Sequence, residues 1–320
     1  MIEASTIADE IRLPATPAGW FDYGYTALRD DRLALIRLRR DFHTEYARWW
    51  REFSNGNHTL RQPAFWDGDI RLSIFDGAIE TDAVIVPSGA HPLVDRTMDG
   101  RWAVASTRAG RGEKNGRIYS ATGGVEQAMV LGDGIEHLFC APDGTLWVGY
   151  FDEGVFGGSS KGGRRPVSAG GIVQFDAKGQ ALWSFNDQVK DEHSIADCYA
   201  MTLAGNMLWS CFYTGFPIVR VDRGKVIFWS NAVAGARAIA VAGDTILLAG
   251  GYTEDAGRIA VVKVDSADSR QIGELRFSPA IGGAGLVQGR GGTLHIVQNG
   301  LWSRLSVYDA ALAVGQPQLP

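Results

Sequence analysis

Cysteine is scarce in this chain. Three among 320 residues, Cys140, Cys198 and Cys211, cannot form a disulfide framework. A chain of this length buries enough apolar surface to fold without one. Long apolar runs are missing as well: none approaches the roughly 18 residues needed to span a bilayer, so no membrane is expected as a partner. The first ten residues carry acids where a secretory leader needs a basic start and an apolar core, which predicts a cytoplasmic protein. Basic charge is not in excess. With 31 basic and 36 acidic residues the net charge is −5, which argues against nucleic acid as a general partner. The sequence also contains no Gly-x-Ser-x-Gly elbow, no His-Glu-x-x-His zinc pair and no Walker A loop.

Glycine and tryptophan are abundant instead, at 41 and 10 residues. They fall in a repeat. The clearest unit is the turn Asp143-Gly144 followed by Leu146-Trp147-Val148-Gly149-Tyr150, a short β-branched and aromatic strand. Related turns are Asp30-Asp31, Asp99-Gly100, Ala204-Gly205, Ala242-Gly243 and Gly291-Gly292, each followed by a similar strand. Such pairs favour tight hairpins because their central residues need positive φ. Third strands recur at 69–76, 116–120, 171–176, 217–222, 258–265 and 304–309, and most end on Asp. Fourth strands follow in most units, as in residues 180–185 and 225–229.

Four strands in a period of roughly 40–50 residues predict an all-β, six-bladed β-propeller with four-stranded blades over residues 1–320. Two β-sandwiches are the rival arrangement. The last unit runs out after its third strand, so Ile11-Arg12-Leu13 is expected to supply its fourth and close the ring. Residues 41–59 interrupt the first blade. There Tyr46, Trp49, Trp50 and Phe53 recur at i, i+3, i+4 and i+7, one face of a helix. That face either docks on the core or forms an aromatic lid for a ligand.

These units resemble six-bladed propellers of the NHL-repeat and gluconolactonase-like group. The segments Gly132-Asp133-Gly134-Ile135-Glu136-His137 and Ile195-Ala196-Asp197-Cys198-Tyr199-Ala200 are similar to an uncharacterised bacterial subgroup. The resemblance implies a divalent metal near the channel, held by a Glu, Asn residues and an Asp. Glu136 and Asp197 are available for this, whereas matching Asn positions are not found.

In a propeller the loops between blades and the loops joining second to third strands share one face. Counted back from the turn glycines, Glu136 and Asp197 each stand eight residues before Gly144 and Gly205, and Arg237 lies near the same place in the next blade. His137 and His193 flank the acids. Two carboxylates could hold a hard cation such as Ca, Mg, Mn or Zn. Alternatively they act as general acid and base with a histidine carrying protons, or Arg237 neutralises them and the cluster only joins blades. Asp152 and Glu153 follow a second strand and belong to the same face. The basic, glycine-rich stretch at 159–166 could cradle an anion or be a solvated loop, and the same holds for the mixed-charge loop at 108–115. Cys198 and Cys211 flank one turn nearly equally and are expected to face each other as buried thiols. The sequence thus supports a small-molecule or metal site at the channel mouth, with metal-assisted hydrolysis or lactone opening as the reaction class. The alternative is a non-catalytic scaffold binding a protein or other ligand.

Overall fold

Tight turns alternate with short β-branched and aromatic runs along the whole chain, and nearly every run becomes a strand. The computed structural model describes residues 2–59, 61–63, 68–157, 165–266, 268–278 and 285–315. The first two strands, β1 (Ile2–Glu3) and β2 (Asp9–Arg12), belong to late blades. Blade 1 holds β3 (Phe21–Ala27), β4 (Leu33–Leu38), β5 (Gly68–Phe75) and β6 (Glu80–Ser88). Blade 2 holds β7 (Pro92–Arg96), β8 (Trp102–Ser106), β9 (Gly116–Tyr119) and β10 (Val125–Met129). Blade 3 has β11 (Ile135–Cys140), β12 (Leu146–Tyr150), β13 (Ile172–Phe175) and β14 (Ala181–Ser184). Blade 4 has β15 (Asp197–Ala204), β16 (Met207–Tyr213), β17 (Ile218–Asp222) and β18 (Lys225–Trp229). In blade 5 are β19 (Ala238–Ala242), β20 (Thr245–Ala249), β21 (Arg258–Val264) and β22 (Ser269–Arg276). Blade 6 has β23 (Leu286–Arg290), β24 (Thr293–Gln298) and β25 (Leu301–Ser306).

The expected closure is present. Strand β2 pairs antiparallel with β25, with Ile11 opposite Trp302, and completes blade 6 as its fourth strand. Strand β1 was not expected: it adds parallel to the outer edge of β22 and gives blade 5 a fifth strand. The end of blade 6 also differs from expectation. Asn299-Gly300, both at positive φ, make a tight hairpin, so β25 begins at Leu301. Its end is set by Ser306, whose hydroxyl accepts from the Asp309 backbone N–H at 3.0 Å and caps helix α3 (Val307–Ala313). Residues 307–309 are therefore helical. Among the other helices named here, α1 (Phe42–Ser54) lies between β4 and β5, and α2 (Asp152–Phe156) follows β12.

Neighbouring sheets bury their apolar faces against each other. Between blades 1 and 2, Ile36, Leu72 and Val86 share one core with Val94, Trp102 and Val104. The innermost strands are tied together around the channel. Ala27 N–H of blade 1 donates to Gln288 Oε1 of blade 6 at 2.7 Å, and Thr202 of blade 4 donates to Gly289 O at 3.0 Å. Gly289 approaches blade 5 so closely that a Cβ there would lie 1.7 Å from Ile239 O, so only glycine fits. At the turn end of the channel, Arg290 of blade 6 reaches Asp95 of blade 2 at 2.9 Å, with side chains 2% and 0% exposed. Asp95 also accepts from Cys140 N–H of blade 3 at 2.7 Å, and the Arg290 guanidinium lies 4.7 Å from the Phe139 ring centre. These contacts close the channel floor.

Breaking that pair should be costly. Asp95→Ala leaves Arg290 charged, buried and unpaired, and is expected to cost about 3 to 5 kcal/mol. Asp95→Leu combined with Arg290→Met removes both charges and should recover most of the loss. Urea unfolding of the three proteins measures this.

Candidate functional site at the channel mouth

The channel is open at the face where the inner strands begin. A cavity of about 200 Å³ lies in it, lined by side chains or backbone of all six inner strands, among them Tyr25, Leu93, Glu136, Met201, Ala238 and Gln288. Three of these strands carry a bulge near their mouth end. The extra residue is Tyr23 in β3 and Glu136 in β11, and the irregularity in β15 spans Cys198 and Tyr199. Bulges re-aim side chains and gather at the rims of sites.

Register corrects one expectation. Trp147 pairs with Gln174 and Trp209 with Arg220, which fixes how blades 3 and 4 superpose. On that frame the residue level with Glu136 is Tyr199, and Asp197 stands two residues nearer the mouth. Counting from the turn glycines fails because the turn at 141–145 is longer than the turn at 205–206. The same offset separates the two cysteines. Cys211 pairs with Ala200, and Cys198 lies in the bulge with its Sγ 3.7 Å from Ser210 Oγ. All three cysteines are free and buried.

The acids nevertheless act on one another. Burial lifts the Asp197 carboxyl to about 6, and the nearby charges of Asp152 and Glu136 push the same way against Arg237. Glu136 is raised by the surrounding protein, with Arg237 drawing it down. Its side chain reaches the water of the channel, yet low-dielectric walls on most sides leave the charge poorly solvated. Arg237 makes no ion pair among the described residues. It lies 4.8 Å over the Tyr199 ring instead.

Tyr199 opens an aromatic wall that sequence reasoning missed. Its ring centre is 5.4 Å from Phe216 and 6.4 Å from Tyr213, and the Tyr252 hydroxyl donates to its hydroxyl at 2.9 Å. Tyr213 and Tyr252 are each 45% exposed. Tyr213 ends the second strand of blade 4, and Phe216 and Tyr252 follow the second strands of blades 4 and 5. The same-face rule that selects Asp152 would have selected them. Phe216 and Thr253 hold left-handed backbone, at φ 51° and 47°, conformations costly for such residues.

The remaining candidates divide: His137 lines the channel cavity and Asp152 stands at the mouth, whereas the others fall elsewhere. His137 donates from Nε2 to Cys198 O at 3.1 Å, and burial drives its pKa down to about 4, so it is neutral at pH 7. His193 sits in a surface turn against Phe228 of the outermost strand of blade 4, at 5.3 Å, and is not among the charges acting on Asp197. Asp152 begins α2, which is held against the mouth because Gly134 and Gly154 touch backbone to backbone; a Cβ on Gly134, at φ 72°, would lie 2.4 Å from Gly154 Cα. Glu153 turns away to pair with Arg108, which also binds Asp133 at 3.1 Å. Helix α1 docks by its start. Phe42 is buried in the core and Tyr46 packs on it, whereas Trp49 stacks between Tyr46 and Phe53 and Trp50 is 55% exposed. The stretch at 159–166 lies outside the described residues up to 164; Arg165 pairs with Asp187 at 2.6 Å.

No group of three His, Cys, Asp or Glu side chains among the described residues is gathered as a metal centre would be. A catalytic metal wants about three protein ligands. Glu136 and Asp197, with the Arg237 cation acting on both, do not fit that requirement.

No family model matches the chain. No curated protein matches it either. Solved structures with a similar course exist at low identity. A chain of the mitotic checkpoint complex is 9% identical with a TM-score of 0.51, covering 94% of this chain and 95% of that one. A catalytically inactive variant of virginiamycin B lyase from Staphylococcus aureus, solved with quinupristin, is 12% identical with a TM-score of 0.49, covering 93% and 99%. AztD from Citrobacter koseri is 12% identical with a TM-score of 0.43, covering 89% and 70%. At these identities the likeness concerns the propeller fold alone.

The electrostatics of Asp197 predict a pH-dependent gain from removing its charge. A carboxyl whose folded pKa of about 6 exceeds its ordinary 3.8 costs the fold nothing below that lower value and progressively more as pH rises through 6. Asp197→Asn should therefore stabilise the protein by about 1 to 3 kcal/mol near pH 7.5. The gain should vanish as pH falls towards about 4, as followed by thermal melts across that range.

Proposed function

We propose that the mouth between blades 3, 4 and 5 binds a small molecule through a positively charged group. The observation that carries this reading is the setting of Asp197, whose ionisation is opposed by burial first and then by the charges of Asp152 and Glu136, with Arg237 offsetting them only in part. A cation relieves that cost. Ammonium or guanidinium groups suit the site better than a bare metal, because the three acids are not gathered as metal ligands are and the exposed ring of Tyr252 beside Tyr199 offers a face to an organic body. The three free, buried thiols support a reducing compartment such as the cytoplasm.

Thermal stability tests the proposal. Millimolar agmatine or tetramethylammonium is expected to raise the melting temperature, and Glu136→Gln with Asp197→Asn should abolish the rise. If Ca²⁺, Mg²⁺, Mn²⁺ or Zn²⁺ raises it in the wild type and not in the double variant, the site is a metal site. If none of these probes shifts it, the non-catalytic scaffold that presents a face to a protein partner becomes the better reading.

The pKa of Asp197 favours a second reading. A carboxyl near 6 is suited to exchange protons at neutral pH, and Glu136 lies within its electrostatic reach. Hydrolysis such as lactone opening, the class implied by gluconolactonase-like propellers, could then proceed by general acid–base catalysis. Against a panel of lactones and esters, the rate should follow an apparent pKa near 6 that disappears in Asp197→Asn.

A further inference from the structure

Blade 3 differs from blade 4 on the face opposite the mouth. A tryptophan stands at the same level of the second strand in both, Trp147 and Trp209, and the third-strand residue opposite it is Gln174 in blade 3 and Arg220 in blade 4. In blade 4 the Arg220 guanidinium covers Trp209 at 5.6 Å, and Trp229 stacks on the same ring at 5.5 Å. Gln174 is shorter and neutral, and its Nε2 is turned to Thr145 Oγ1 at 3.0 Å. No guanidinium covers Trp147 among the described residues; the indole of Trp183 meets it edge-on at 5.6 Å.

Beside these two indoles lies a cavity of about 580 Å³, whose lining also includes Gln174, Asp143, Asn206, Asp222 and Arg223. Trp147 is only 4% exposed, and the buried indole N–H groups of Trp147 and Trp183 have no hydrogen-bond partner. The same holds for Trp102 and Trp209, so the half-buried ring of Trp183, rather than these N–H groups, gives the cavity its apolar face. Asp143 spends Oδ1 on Thr145, at 3.0 Å to N and 2.7 Å to Oγ1, which leaves Oδ2 facing outward demand. Gln174 keeps its Oε1 as an acceptor, and Asn206 brings both a donor and an acceptor.

From this combination we infer that the cavity between blades 3 and 4 is a saccharide-binding site, separate from the channel mouth. A pyranose ring has an apolar C–H face for indole and a rim of hydroxyls that both donate and accept. Asp143 and Asp222 accept from such hydroxyls; Arg223, its Nε 3.9 Å from Asp222 Oδ1, answers one of the two charges, and the one left over disfavours an acidic sugar. The preferred ligand is therefore a neutral hexose or short oligosaccharide, bound without chemistry.

Titration calorimetry with glucose, maltose and cellobiose, and with glucuronate as the acidic control, tests the site. At least one neutral saccharide should bind in the millimolar range or tighter, with glucuronate weaker. Trp183→Ala should weaken binding by about tenfold or more, the scale of losing an aromatic contact. Asp222→Ala, at the exposed end of β17, should weaken it too. Asp197→Asn should leave it unchanged, so that failure here is distinct from failure at the mouth. The inference is overturned if no neutral saccharide binds up to about 50 mM, a range where only affinities weaker than useful recognition remain. It is equally overturned if binding survives both Trp183→Ala and Asp222→Ala, or is lost in Asp197→Asn.

Discussion

A guanidinium from the sixth blade meets a carboxylate from the second inside the channel, and neither has solvent to fall back on. The pair exists only when the ring is closed, since Arg290 and Asp95 belong to sheets that share no side. Two buried charges are costly to bring together and far costlier to separate. Blade 3 joins through the Cys140 N–H, and blades 4 and 5 are fastened to the neighbouring residue Gly289 by Thr202 and by close backbone approach. The floor is thereby fixed from several directions. The mouth, by contrast, is lined by bulged strands and by loops with left-handed residues; burial raises Asp95 at the floor too, but Arg290 answers it, whereas Asp197 and Glu136 make no ion pair among the described residues. Stability at one end of the channel and electrostatic tension at the other fit a scaffold that supports a site.

Blade number and strand order were legible because turn chemistry is local. Asp143-Gly144 and its relatives need positive φ, and Gly100, Gly144, Gly205, Gly243 and Gly291 all adopt it. The closing strand was legible by arithmetic, since blade 6 lacked a fourth strand and β2 had no other sheet to join. Strand β1 was not. Two residues on a sheet edge carry no periodic signal, and parallel addition depends on a neighbour 273 residues away in the chain, as the pairing of Ile2 with Leu275 shows.

The neighbourhood of the mouth acids was legible, and their levels along the strands were not. Glu136, Asp152, Asp197 and Arg237 do act on one another, as their position on the mouth face suggested. Their levels were misjudged because the turns of blades 3 and 4 differ in length and each inner strand bulges, two effects that composition cannot reveal. His193 was placed too near the axis because residues linking blades can lie anywhere between outer and inner strands. The aromatic wall was overlooked because attention went to the helical stripe of Tyr46, Trp49, Trp50 and Phe53, whose rings mostly stack on one another.

Residues 2–12 serve two blades, with β1 on the rim of blade 5 and β2 completing blade 6. During synthesis this segment emerges ahead of the six blades, while both of its docking edges belong to the last two of them to be made. Blades 1 to 4 can pair their strands as they emerge, but the opening segment has to wait, unpaired, until β22 and β25 exist. Assembly of the ring is thus timed by the completion of blade 6, and a half-made ring offers an unoccupied strand to its surroundings until then.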